Sequence, residues 1–329
     1  MKTIAFFNNK GGVGKTTLVY HLAAMLAAKG RKTLAVDLDP QSNLSSMFLD
    51  DDALEALWPN GEHPRTIFGA LRPIIRGIGD VGRPHVEAIN PLLGLIVGDL
   101  ALSTFEDKLS EAWPRCHNRD ESAFRTMTAF HRGVRLAAKA FSAEWVLFDV
   151  GPNLGAINRS ALIASDYVVT PLGPDLFSLQ GLRNLGPALR GWRETWKELR
   201  AKTPDPTLDL PEGLIEPLGY VVMQPGLRGN QPVKAYQRWI DRFPETYREA
   251  VLEEAAESSM SASNDPYCLA ILKHYRSLMP MAMEARKPVF ALKPADGAIG
   301  AHGEAVRAAS TDFLSLARRM AERCGAVID

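Results

Sequence analysis

Short apolar runs separated by amphipathic stretches organise this chain. Residues 3–7 (TIAFF) have the composition of a strand buried in a parallel sheet. Residues 15–29 carry Leu18, Leu22, Met25 and Leu26 on one helical face, and Gly30 is a good helix stop. TLAVDL at 33–38 reads as the next strand. A crossover of this length joins parallel strands with a right-handed connection. It leaves the first loop at the carboxyl edge of the sheet, where such folds bind ligands. Further apolar runs bounded by breakers predict strands around 95–97 and at 145–150, 167–172 and 219–224, with helical stretches at 122–141, 178–199 and 312–323. The alternation predicts one doubly wound α/β domain over residues 1–329, a mostly parallel sheet flanked by helices. Two segments read as surface insertions: 202–216, rich in proline and acidic residues, and 253–266, which contains AAESSMSASNDP.

Composition narrows the picture only a little. With 46% hydrophobic residues in 329, the chain has enough apolar side chains for a sizeable core. Thirty-eight basic residues balance thirty-eight acidic ones, so any contact with nucleic acid needs a local patch. The three cysteines are far apart, which implies neither a metal or redox pair nor a disulfide framework and fits a reducing cytoplasm. The first apolar run is too short for a secretory core, and nothing approaches the ~18 consecutive apolar residues of a membrane span.

The chemistry begins in FFNNKGGVGKTTL, residues 6–18. Gly11, Gly12 and Gly14 let the backbone around Val13 turn its N–H groups inward on a phosphate. Lys15 can reach the β and γ phosphates, the Thr16 hydroxyl can coordinate Mg²⁺, and the helix continuing through Thr17 adds its positive dipole end. This predicts a P-loop and binding of ATP or GTP. The usual spacing asks for a glycine where Asn9 stands, and a second lysine, Lys10, follows it. Two lysines so close repel each other in an empty site. Lys10 makes sense if it points away from its own nucleotide and neutralises phosphate charge on another subunit. Asp149 ends an apolar strand, where a carboxylate holds a Mg²⁺-bound water. Val150 follows, at a position where many fast ATPases carry a general-base glutamate. Asp37 and Asp39, two residues apart at the end of the second strand, share one face if that strand continues.

KGGVGKTT resembles the deviant Walker A motif of the ParA/MinD family of dimerising ATPases. The resemblance extends to VDLDPQSN (36–43), WVLFDVGPNLG (145–155), LFSLQGL (176–182) and the segment 279–306, and more weakly to 93–102. It implies a P-loop NTPase fold of the deviant Walker A type, with ATP and Mg²⁺ as ligands. It also implies an ATP-dependent homodimer in which Lys10 crosses the interface, Asp39 as the hydrolytic aspartate and Asp37 as a support near the metal. Gln224 and Pro225 fall at the base, with 288–291 adding to that side. Arg190 and Arg228 match positions that hold nonspecific DNA in relatives, and Arg183, Arg193 and Arg276 extend the stripe. The implied setting is cytoplasmic and nucleoid-associated, with a ParB-like or other adaptor that stimulates slow hydrolysis. The switch region departs from the family, because the usual Asp-x-Pro-Pro is here Asp149-Val150-Gly151-Pro152.

Two other readings fit parts of this sequence. The apolar side of the last helical stretch (Phe313, Leu314, Leu316, Ala317, Met320) coincides with the family's closing helix, so core packing is favoured over a membrane. An ATP-switched scaffold that recruits a protein effector and ignores DNA, for example in defence, is the alternative function, with 202–216 and 253–266 as docking segments.

Overall fold

The computed structural model describes residues 1–58, 63–224, 233–255 and 260–329, with 233–235 as backbone only. Its strands are β1 (Lys2–Phe6), β2 (Thr33–Asp37), β3 (Glu87–Asn90), β4 (Leu93–Ile96), β5 (Trp145–Asp149), β6 (Tyr167–Leu172), β7 (Glu216–Met223) and β8 (Cys268–Leu272). They form one sheet in the order β3-β4-β2-β5-β1-β6-β7-β8. Only β3 runs antiparallel to its neighbour, at one edge. The fold is therefore the mostly parallel α/β sheet that the pattern predicts. The six strands read from the sequence are present, and β3 and β8 are added at the two edges. Strand β3 (EAIN) is half exposed and has no apolar run, whereas β8 (CLAIL) is an unbroken apolar run as long as β1 that the sequence reading missed.

The helices are α1 (Lys15–Ala28), α2 (Asn43–Phe48), α3 (Asp51–Leu57), α4 (Ile67–Arg76), α5 (Phe105–His117), α6 (Glu121–Met127), α7 (Ala129–Phe141), α8 (Ala156–Ile163), α9 (Leu176–Arg200), α10 (Val233–Ile240), α11 (Phe243–Tyr247), α12 (Leu278–Ala285) and α13 (Ala301–Arg323). The helical stretch predicted at 122–141 is two helices. Thr128 separates them, its hydroxyl donating back to the Phe124 carbonyl at 2.7 Å, a local bond that competes with helix propagation. The last helix starts earlier than predicted, at Ala301.

Alternation along the central strands divides the core. Ile4, Phe6, Ala35 and Leu147 pack with Leu22 of α1 and Phe313 of α13 on one face. Ala5, Leu34, Val146 and Phe148 pack with Phe105, Phe124 and Trp196 on the other. The period of two therefore turns Asp37 and Asp149 towards the α1 face. Phe313, Leu316, Ala317 and Met320 are buried, as core packing of the closing helix requires.

Residues 202–216 and the described part of 253–266, which excludes 256–259, are anchored. The Trp196 indole donates to the Pro211 carbonyl at 3.0 Å, and Asp205 and Asp209 pair with Arg125 and Arg135. Asp265, also buried, accepts from the Tyr220 hydroxyl at 2.8 Å and pairs with Arg248 at 3.2 Å. Helix α9 passes a π-helical turn at Arg248–Leu252 so closely that a Cβ on Gly186 would lie 1.7 Å from the Ala250 oxygen. Only glycine fits there.

Candidate nucleotide and metal site

The loop between β1 and α1 rises from a strand in the middle of the sheet. Gly12 (φ 71°) and Gly14 (φ 88°) are left-handed, and a Cβ on Gly14 would meet the Met223 methyl at 2.9 Å. Asn8 is buried. Its amide donates to the Pro171 carbonyl at 2.7 Å, and its oxygen accepts the Lys10 N–H at 3.0 Å, so this asparagine ties the loop to β6. Lys15 is buried and its ammonium stands 3.4 Å from the Lys10 carbonyl. Burial pushes its pKa down, against the opposing pull of Asp149 and Asp39.

Asp37 and Asp149 are register partners in the adjacent parallel strands β2 and β5, so their side chains project together. Both are fully buried. One Asp37 oxygen accepts from the N–H and the hydroxyl of Ser45, each at 2.8 Å, and Ser45 Oγ in turn accepts the Gly98 N–H at 2.8 Å. A Cβ on Gly98 would lie 2.8 Å from the Asp37 carboxyl carbon. The other Asp37 oxygen and both Asp149 oxygens have no hydrogen-bond partner. Burial pushes both pKa values up; the Asp39 charge adds to this at Asp37, and the Asp37 and Asp39 charges add to it at Asp149. Ser45 opposes the shift at Asp37, while at Asp149 the nearby Thr16 hydroxyl and Lys15 do so. Three partnerless carboxylate oxygens beside a threonine hydroxyl make a donor set suited to a hard cation. Asp149, Asp37 and Thr16 fit Mg²⁺, which is commonly held by one or two carboxylates together with substrate phosphates and water.

Asp39 departs from the expected geometry. Strand β2 stops at Asp37, so the two aspartates do not share a strand face. Asp39 sits in the bend that follows, accepting the Gln41 N–H at 3.0 Å. It borders the switch region, since a Cβ on Gly151 would lie 3.6 Å from its Oδ1. Asn158 of α8 braces that region by donating to the Gly151 and Asn153 carbonyls at 2.9 and 2.6 Å. The Glu106 carboxylate of α5 accepts the first N–H groups of α8, Ala156 at 2.5 Å and Ile157 at 2.9 Å.

Lys10 pairs with Asp175 of the same chain and lies over the Phe177 ring at 5.8 Å. Asp175 also caps α9, accepting the Ser178 N–H at 2.9 Å. The outward reach expected of Lys10 therefore requires this pair to part. Ser45, Glu106, Asn158 and Asp175 were not singled out in the sequence. Each acts through a contact made by folding, and none stands in a chemical motif.

A family model described as an AAA domain, of the ParA/MinD ATPase type, matches residues 1–200. The chain belongs to this family. Among curated relatives of this ParA/MinD-type ATPase, an uncharacterised protein of Methanocaldococcus jannaschii is 28% identical over 74% of the chain and 81% of its own length. The chromosome partitioning protein ParA of Myxococcus xanthus is 32% identical over 56% of each chain. The Caulobacter vibrioides ParA is 31% identical over 56% of this chain and 61% of its own. The chain thus spans under two thirds of the partitioning proteins it matches. Solved structures share the fold. A Corynebacterium diphtheriae protein has a TM-score of 0.66 at 24% identity, covering 87% of this chain and 97% of its own. A Cyanothece McdA variant in complex with ATP has a TM-score of 0.62 at 16% identity, covering 99% and 97%.

In this ParA/MinD-type ATPase a cavity of about 470 Å³ opens beside the phosphate loop. Gln224 lines it; Pro225 and Arg228 lie outside the described residues. The far wall is formed by Lys273, His274 and Tyr275, which follow β8, and not by 288–291. Val289 is instead fully buried, its N–H directed at His21. Because β8 was not read as a strand, the loop after it could not be assigned to the sheet's carboxyl edge. On the flank expected to bind DNA, Arg190 pairs with Glu253 at 3.0 Å and donates to the Ala250 carbonyl at 2.6 Å. Arg193 donates to the Ile215 carbonyl at 3.0 Å, whereas Arg183 and Arg276 are exposed. Among the described residues no helix is long and apolar enough to cross a membrane.

Proposed function

We propose that the chain is a ParA-like molecular switch that binds ATP and Mg²⁺ at Gly11–Thr17, closes into a homodimer and reopens on slow hydrolysis. The observation that carries this reading is the register pair of buried carboxylates, Asp37 with one partnerless oxygen and Asp149 with two, beside Lys15 and Thr16. Asp149, Asp37 and Thr16 hold the cation, which neutralises charge on the phosphates when bound. The loop N–H groups and Lys15 grip the phosphate oxygens, and an anionic partner restores the charge that burial disfavours on Lys15. Asp39, next to Gly151, orients the attacking water. Val150 supplies no base, so turnover is slow. Gln224 and Pro225 border the base, and Lys10 leaves Asp175 to reach the nucleotide of the other subunit.

The dimer binds nonspecific DNA through Arg190 and Arg228, and an adaptor of the ParB kind stimulates hydrolysis. The work is segregation of DNA or positioning of another cargo on the nucleoid, in the cytoplasm. The names of the Myxococcus and Caulobacter relatives support partitioning. The ion pair that occupies Arg190 favours the second reading, a scaffold whose dimer recruits a protein effector. Retention of a random-sequence duplex with ATP, with ADP and without nucleotide decides between them. DNA binding that needs ATP, weakens with salt and is lost in Lys10→Ala and in Arg190→Ala/Arg228→Ala supports the first reading. A protein that dimerises with ATP yet retains no DNA overturns it in favour of the scaffold.

A further inference from the structure

His21 lies one helical turn beyond Thr17, and both of its ring nitrogens are engaged. Nε2 is 3.1 Å from the Val289 main-chain nitrogen, and Nδ1 is 2.7 Å from the Thr17 carbonyl oxygen. A main-chain N–H can only donate and a carbonyl can only accept. Nε2 therefore carries no proton and Nδ1 carries one, and the opposite tautomer satisfies neither contact. The ring stacks on Phe313 at 4.7 Å and 12°. One side chain thereby joins the first turn of α1, the C-terminal segment at Val289 and helix α13.

The surroundings make these bonds matter. His21 and Met279 line the 470 Å³ cavity, and both also line a second cavity of about 230 Å³ behind it, bounded by Tyr20, Met47 and Met283. His21 is only 1% exposed, and its ring also meets Tyr20 at 5.2 Å and Phe290 at 6.1 Å edge-on, so the two hydrogen bonds set the ring's orientation within a packed aromatic cluster beside both cavities. Phe313 also packs on Tyr275 at 5.8 Å, and Tyr275 lines the same cavity as the phosphate loop.

We propose that His21, as the neutral Nδ1–H tautomer, is a positioning residue for nucleotide binding: it keeps the phosphate loop in register with the C-terminal wall of the cavity. The inference rests on the reading of Gly11–Thr17 as the ATP site. His21→Asn and His21→Gln separate its two bonds. An asparagine amide reaches the Nδ1 position, so it serves Thr17 and strands the buried Val289 N–H. A glutamine carbonyl reaches the Nε2 position and serves Val289.

The test is the dissociation constant of a fluorescent ATP analogue, together with ATPase KM and kcat, in wild type and both variants, at a temperature where circular dichroism shows each folded. ¹⁵N-histidine spectra of the wild type report the tautomer. Expected are an Nδ1–H tautomer, at least a five-fold weaker dissociation constant and higher KM in His21→Asn with kcat within two-fold, and values within two-fold of wild type in His21→Gln. An Nε2–H tautomer, unchanged affinity in His21→Asn, or equal loss in both variants overturns the inference. If His21→Asn does not fold, wild-type affinity in His21→Gln together with the Nδ1–H tautomer supports the inference, and a five-fold loss in His21→Gln overturns it. If the wild type binds no ATP analogue at all, the assignment of the phosphate site fails, and the inference falls with it.

Discussion

Asp149→Asn removes a carboxyl that the metal-free fold cannot ionise cheaply. Asp149 is fully buried, neither oxygen has a partner, and Asp37 is its register neighbour. Its pKa in the fold is well above 3.8, the value for an unperturbed aspartate, because burial and then the Asp37 charge disfavour the anion. The sign follows from proton counts. Below the ordinary carboxylate range both folded and unfolded chains keep the proton, and the group contributes nothing. As pH rises the unfolded chain releases the proton first, so stability falls until the folded group ionises too. The slope is about 1.4 kcal/mol per pH unit for one retained proton. Asparagine does not titrate. The stability of the variant relative to wild type should therefore grow as pH rises above the ordinary carboxylate range, for as long as the folded wild type keeps its proton. Groups that do not interact with Asp149, such as His21, held neutral by burial, cancel in this difference, whereas Asp37 and Lys15 titrate with it. Urea unfolding in EDTA at three pH values measures it. Saturating Mg²⁺ with ADP should stabilise wild type more than the variant, which keeps the phosphate loop but lacks one carboxylate for the cation. A difference that does not vary with pH refutes the assignment of a protonated, partnerless carboxyl.

Asp175→Asn keeps an oxygen for the Ser178 N–H but removes the charge holding Lys10. The pair is partly exposed and worth about 1 kcal/mol or less, so the ATP-dependent dimer should tighten by roughly two- to five-fold in sedimentation experiments; an unchanged dimer constant counts against a restraint on Lys10. Glu106→Ala strands the Ala156 and Ile157 N–H groups and should cost about 1–3 kcal/mol in denaturant unfolding, with faster hydrogen exchange at the start of α8. Gly186→Ala forces a Cβ against the Ala250 carbonyl and should lower stability by about 1–3 kcal/mol, whereas Gly151→Ala, whose Cβ meets neighbours at 3.6 Å or beyond, should stay within about 0.5 kcal/mol of wild type.

Much of the fold was legible because its central strands are buried on both faces and carry unbroken apolar runs. The edges were less so. Strand β3 is held by an antiparallel partner, and nothing in EAIN announces that pairing. Thr128 looks like an ordinary helical residue until its hydroxyl is seen to turn back on Phe124. At the site, the phosphate loop, Asp37 and Asp149 were legible because their chemistry lies in local spacing. Asp175 was not, since it meets Lys10 across 165 residues, and Glu106 reaches Ala156 across 50. The placing of Asp39 on one strand face with Asp37 depended on the strand continuing, and β2 ends at Asp37 with the chain bending at Asp39. The flank arginines could be counted in the sequence, but the carboxylate and carbonyl that engage Arg190 could not.

The pairing of Asp37 with Asp149 limits how this ATPase can be altered. Their spacing follows from main-chain hydrogen bonds between two strands in the interior of the sheet, and a shift of one residue in either strand would turn its aspartate to the opposite face. A library aimed at the lifetime of the nucleotide state thus has little to gain in β2 or β5, where most changes would be lost to misfolding. It belongs in the bends that follow them, at Asp39, Gly151 and Asn153, where timing can drift while the distance between the two carboxylates stays the same. Paralogues that diverged from such a chain should differ first at those bends, and their ion sites should superimpose.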